Sequence, residues 1–320
     1  MEQKIIIGEK LRLKIEEKAF KECGVSNLLS VSTYIHQLKK HIDGTLRLPN
    51  NEIEQKLDFL IGCMTITLDN PFINLEFLRA RRSEEEVFCN VNELSYIKKP
   101  SKTFPHLGRL NSAGMSLFYA SVIRPDSKTD KGLMVVLSEA RARKLDRMRV
   151  LRSRQKENED LNLRMIGIWD DIRRGCKPAF MDSKVYNYYA ATYDYMLSKF
   201  TPTLLIAYQL TDRFLADIMS RKGSSKLYDV TSITSAIMLD DKEQETKIDG
   251  ILYSSVEAKD EPVIVLKPEA VDAKLNHDWV TEVLIKQHYG YEFFDYETIK
   301  KFTINKKTGE LEPVNQHSKS

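Results

Sequence analysis

The spacing of apolar residues changes character near residue 70, and that change constrains the fold more than any other feature of the 320-residue chain. Before it, Ile7, Leu11, Ile15 and Ala19 recur every four residues among charges. Leu28, Val31, Ile35 and Leu38 recur every three or four, which is the period of a helix face. Pro49-Asn50-Asn51 reads as a turn and cap before Ile53, Leu57 and Leu60. Residues 1–70 are therefore expected to form an N-terminal helical region, a bundle packing on the main domain that follows, with a partner-binding surface as the alternative. From about 72 to 270, strand patterns at 75–81, 86–91, 116–122, 147–152, 250–255 and 262–267 mix with helical patterns at 132–145, 160–174, 183–199 and 203–220. Strands and helices do not alternate strictly, so an α+β domain over 71–270 is expected rather than a doubly wound parallel sheet. Residues 271–320 read as an extension with a helix at 277–288, a hairpin over 302–311 turning near Gly309, and a disordered tail from Asn315.

Composition narrows the function classes. Apolar residues at 42% and charged residues at 30% suffice for a sizeable core and argue against wholesale disorder. A net charge of +3 does not by itself mark a nucleic-acid binder. No apolar run approaches the ~20 residues that cross a bilayer, and the charged start does not read as a signal peptide. A cytoplasmic protein without a membrane partner is expected. Cys23, Cys63, Cys89 and Cys176 are dispersed, and the six histidines lack zinc-ligand spacing, so neither a disulfide framework nor a metal site is expected.

Four segments carry candidate chemistry. In Phe77-Leu78-Arg79-Ala80-Arg81-Arg82, strand alternation puts Arg79 and Arg81 on one face. Paired guanidiniums suit an anion, although a solvated strand edge has the same pattern. Gly108-Arg109-Leu110-Asn111, with Gly114 beyond it, is a glycine-bearing loop before the apolar run around Phe118-Tyr119. It matches neither the dinucleotide fingerprint nor a P-loop, and a plain turn reads the same way. Glu139 flanks the apolar stripe Leu133, Val136, Leu137 and Ala140, where it leans inward, stays solvated or pairs with Arg143. Asp249-Gly250-Ile251-Leu252-Tyr253-Ser254-Ser255 is an apolar strand ending in hydroxyls. It lacks the nucleophile elbow of a serine hydrolase.

Taken in order, Phe77-Leu78-Arg79, Gly108-Arg109-Leu110-Asn111 with Gly114, Phe118-Tyr119, Ser138-Glu139-Ala140 and Asp249 to Ser255 resemble the RES domain family, named for an Arg, a Glu and a Ser. The resemblance spans residues 75 to 267. Arg81 fits the first position as Arg79 does, Ser254 can substitute for Ser255, and the interval from Tyr119 to Glu139 is longer than the pattern. The resemblance implies an ADP-ribosyltransferase-like fold, a split α+β sheet with flanking helices holding NAD. It implies cleavage of the nicotinamide–ribose bond by hydrolysis or phosphorolysis, or transfer of ADP-ribose to a protein, with NAD as substrate and no metal. It also implies a toxin partnered by an antitoxin protein. Carried over, the catalytic residues are Arg79, Glu139 and Ser255, and the NAD-binding residues are Arg79, Arg109, Asn111, Tyr119 and Ser255. A RES fold that only binds, without turnover, is the third possibility.

The residue types fit that chemistry. Cleaving the bond develops oxocarbenium character on the ribose, which a carboxylate stabilises. Arginines suit the pyrophosphate, inorganic phosphate being a possible co-substrate, and a tyrosine ring suits nicotinamide. The rival is nucleic-acid binding without catalysis. Residues 141–154 contain seven basic side chains in 14 positions, and tyrosines at 186, 188, 189, 193 and 195 offer stacking surfaces. Charge runs are usually solvated faces and aromatics at that spacing are usually helix core, so direct nucleic-acid binding is not the favoured expectation.

Overall fold

The computed structural model describes residues 7–21, 25–63, 70–72, 74–83, 88–98, 106–123, 129–178, 181, 183–240, 247–258 and 261–314, with backbone alone at 25, 26, 63, 70–72 and 129–131. Its helices are α1 (Glu9–Lys21), α2 (Val25–Asp43), α3 (Asn50–Asp58), α4 (Thr129–Glu139), α5 (Ile168–Arg173), α6 (Ser183–Lys199), α7 (Pro202–Ser220), α8 (Ser225–Leu239) and α9 (Pro268–Lys274). Its strands are β1 (Asn70–Phe72), β2 (Glu76–Arg82), β3 (Phe118–Ile123), β4 (Arg147–Gln155), β5 (Leu161–Met165), β6 (Gly250–Ser254), β7 (Pro262–Leu266), β8 (Leu275–Gly290), β9 (Phe293–Ile304) and β10 (Leu311–Pro313). The class is α+β. Among the described residues no helix is long and apolar enough to cross a membrane.

The chain divides into two compact units that are discontinuous in sequence. A helical unit takes residues 1–68, 106–112 and 164–243; a sheet unit takes 69–105, 113–163 and 244–320. This differs from three consecutive parts, because α5 to α8 group with the N-terminal helices. The reason is visible in the stripes. Val31, Ile35 and Leu38 of α2 and Ile53 and Leu57 of α3 are buried, with α2 against α7 and α8 and α3 against α8. Thr201 and Ser224 cap α7 and α8 by accepting from the Leu204 and Leu227 N–H groups, and Pro202 occupies the first turn of α7. Asn50 and Asn51 do not cap α3. Pro49 holds the cap position, without a side-chain bond.

The strands lie in one hydrogen-bonded order, β1-β5-β6-β7-β3-β2-β4-β8-β9-β10. The sheet forks in its middle. β2 and β3 pair only at Glu76–Ile123, Phe77–Val122 and Leu78–Ser121. Beyond that point Arg79 to Arg82 stay paired with β4, and Phe118 to Ala120 stay paired with β7. Helix α4 packs beside the fork through Val136 and Leu137, in a core shared with Leu78, Val150, Val283 and Ile285.

Several expected elements differ. Residues 277–288 lie in a strand: burial alternates through Val280 and Glu282, slips at a bulge between Glu282 and Val283, and resumes at Val283 and Ile285. That slip gives apolar residues a spacing of three that imitates a helix. Residues 160–174 split into β5 and α5, with Gly167 in the left-handed region at φ +79° between them. The pattern at 86–91 falls partly outside the described residues, and Val91–Glu93 is a 3₁₀ turn capped by Asn90. The hairpin ending in β10 is present, with Gly309 at φ +75° in its turn. The tail from Asn315 lies outside the described residues.

Candidate functional site

Where β2 and β3 separate, a cavity of about 210 Å³ opens in the sheet unit, lined by Arg79, Ala80, Tyr119, Ala120, Glu139, Ala140 and Tyr253 among others. Arg79 spans the fork. Its Nη1 donates to the Tyr119 carbonyl at 2.6 Å and its Nε to the Leu94 carbonyl at 2.9 Å. These bonds satisfy a strand carbonyl that lost its β2 partner when the pairing ended. Its guanidinium also lies 5.5 Å from the centre of the Phe118 ring. Burial, and then the neighbouring Arg81 guanidinium, lowers Arg79 to about 9, so it stays cationic at neutral pH. Arg81 shares the strand face, as alternation requires, and turns to the Glu93 carbonyl.

Glu139 ends α4. The helix stops there, not at 145, because the chain turns through a left-handed residue, Arg141 at φ +50°. The Arg141 and Ala142 N–H groups return to the Ser138 and Leu137 carbonyls, closing a Schellman motif. Glu139 Oε1 accepts from the hydroxyl of buried Ser255 and, at 3.5 Å, from the Glu257 N–H. Ser255 Oγ in turn accepts from the Ala258 N–H at 2.9 Å, which fixes the hydroxyl's direction. Ser255 follows β6, whose start is pinned by the residues preceding it. Asp249, buried, accepts from Lys274 at 2.7 Å and from the Asn162 N–H at 2.8 Å. Gly250 is required by close approach: a Cβ there would sit 2.2 Å from the Val265 carbonyl oxygen.

Arg79, Tyr119, Glu139 and Ser255 thus come together in one unit. Arg109 and Asn111 belong to the helical unit, where both have structural employment. Arg109 donates to the Met219 carbonyl at 2.9 Å, satisfying the last turn of α7, and lies 5.8 Å from the Tyr228 ring centre. Asn111 closes its own loop by donating to His106 and Ser112 carbonyls, while the Gly108 N–H returns to the Asn111 carbonyl. Sequence reasoning missed Tyr253 as a wall of the cavity. Its place two residues before Ser255, in the Tyr253-Ser254-Ser255 run, was the available signal.

Five of the seven basic side chains of the stretch 141–154 make ion pairs, with four carboxylates. Arg141 pairs with Glu257, Arg147 and Arg149 with Glu282, Arg152 with Glu76 and Arg154 with Asp278. On α6, Tyr189 and Tyr193 are buried and pack on Trp169. Among the described residues no group of three or more His, Cys, Asp or Glu side chains is placed to hold a metal ion. No protein-family model, curated protein or solved structure matches this chain.

Proposed function

We propose that the protein binds NAD and cleaves its nicotinamide–ribose bond at the forked-sheet cavity, as a RES-like enzyme of ADP-ribosyltransferase type. The observation that carries the reading is that Arg79 and Glu139, distant in sequence, line one cavity, with the Glu139 carboxylate held by buried Ser255. The fork in the sheet supports the fold reading, since a split sheet needs a place where neighbouring strands part.

In this mechanism the C1′–N bond breaks and its electron pair leaves with nicotinamide, which departs neutral. Positive charge grows on the ribose ring. Glu139 faces that charge across a cavity with small and apolar walls, where electrostatic stabilisation is stronger than in water. Ser255 and the Glu257 N–H keep the carboxylate aimed, so little reorganisation is needed as the charge appears. Tyr119 and Tyr253 offer ring surface to the nicotinamide, and Arg79 offers positive charge to a phosphate. Water then adds at C1′ and loses a proton, or phosphate adds in its place. The test is to incubate the purified protein with NAD, with and without inorganic phosphate, and follow nicotinamide release. Release in either arm, with ADP-ribose or its 1″-phosphate as co-product, supports the reading; NAD unchanged in both arms contradicts it.

A further inference from the structure

The cavity is small for a dinucleotide. Its roughly 210 Å³ lies below the ~300–1,000 Å³ of pockets that enclose a drug-sized ligand. Among the described residues its lining carries one cation, Arg79, and one carboxylate, Glu139, with Tyr119 and Tyr253 as its rings and alanines and aliphatic residues between them. An N-ribosylnicotinamide has the complementary pattern: a cationic ring for tyrosine faces and a carboxylate, and a compact sugar. The mononucleotide adds one phosphate. A guanidinium has five N–H donors, and Arg79 commits two of its nitrogens to the Leu94 and Tyr119 carbonyls. What remains suits a single phosphate. Among the described residues the lining holds no second cation for the additional charge of a pyrophosphate.

Resting on the NAD-cleaving reading, we infer that the cavity takes the ribosylnicotinamide half alone, so that nicotinamide mononucleotide is itself a substrate. The balanced step is mononucleotide plus water giving nicotinamide, ribose 5-phosphate and a proton. The C1′–N bond breaks with its electron pair on nitrogen, and a C1′–O bond forms from water. The adenylyl half then contributes binding that is equal in the ground and transition states, which appears in KM and not in kcat.

The full-length protein should be given NAD and nicotinamide mononucleotide in parallel, with nicotinamide release followed at saturating substrate. The expected result is a kcat on the mononucleotide within about tenfold of that on NAD, with the difference in KM. Cleavage of NAD with a mononucleotide kcat lower by a hundredfold or more would overturn this inference and leave the NAD reading standing. Cleavage of neither would overturn both. Reduced nicotinamide mononucleotide, whose ring is neutral, should bind at least about tenfold more weakly than the oxidised form. Equal binding of the two would overturn the charge match on which the inference rests.

Discussion

At Arg79 one side chain closes a gap in the sheet and charges a cavity. Its type was legible from an apolar strand ending in Arg, but its task as a strut across the fork depends on where β2–β3 pairing stops, which no local pattern records. Glu139 was legible only as a carboxylate flanking an apolar stripe. Its bond to Ser255 joins residues 116 apart in sequence. The sequence reading also passed over Asp212 in the helical unit. Burial pushes this carboxyl up to about 7, opposed by the Asp170, Gly167 and Trp169 backbone N–H groups. A carboxyl whose folded value is raised favours the folded state fully below its unfolded value, near 3.8, and loses that contribution as pH rises through about 7. Asp212→Asn should therefore flatten the fall in thermal stability between pH 5 and 8. Parallel Tm profiles of the wild type and the variant over that range would refute the assignment.

Among the elements, α4 shows what a local conformation contributes. Its Schellman turn places Glu139 at the helix end beside the Ser255–Ala258 segment, and it does so with Arg141, not glycine, in the left-handed region. An L-residue there costs roughly 1–2 kcal/mol. Against this, Gly brings an entropic cost of roughly 0.5–1 kcal/mol, and loss of the exposed pair with Glu257 costs about 0–1 kcal/mol. Arg141→Gly should thus leave stability within about 1 kcal/mol of the wild type, while β-branched Arg141→Val should lower it by about 1–3 kcal/mol. Chemical denaturation decides the point: an Arg141→Val protein as stable as Arg141→Gly would contradict a strained turn. Helices with clean stripes, such as α2, α6 and α7, were legible. Helix α8 was not, because buried Thr231, Ser232, Thr234 and Ser235 make its sequence look polar. β8 was misread because its bulges break the two-residue period.

For the whole molecule, the α+β class followed from irregular alternation of strands and helices, whereas the division into units did not. Each unit is assembled from separated segments, and the chain enters the helical unit three times. Apolar stripes show that a helix must be covered without saying by what. Helices α2 and α3 are covered by α7 and α8, so these two N-terminal helices belong to the core of their unit. A 71–320 fragment should expose the faces of α7 and α8 that α2 and α3 bury. It is expected to aggregate or to lose cooperative melting of its helical part. A fragment that stays monomeric with its remaining helicity melting as in the full chain would contradict this division.

The central claim is that the cavity at the fork is catalytic and that Glu139 acts on charge that develops during the reaction. It is tested most directly by comparing the wild type and Glu139→Gln for nicotinamide release from NAD at saturation and for NAD affinity by calorimetry. Loss of one well-placed electrostatic stabiliser typically costs on the order of 10²–10³ in turnover. The expected result is that loss in kcat, with NAD affinity changed by less than about tenfold. Turnover by Glu139→Gln at the wild-type rate would contradict the account.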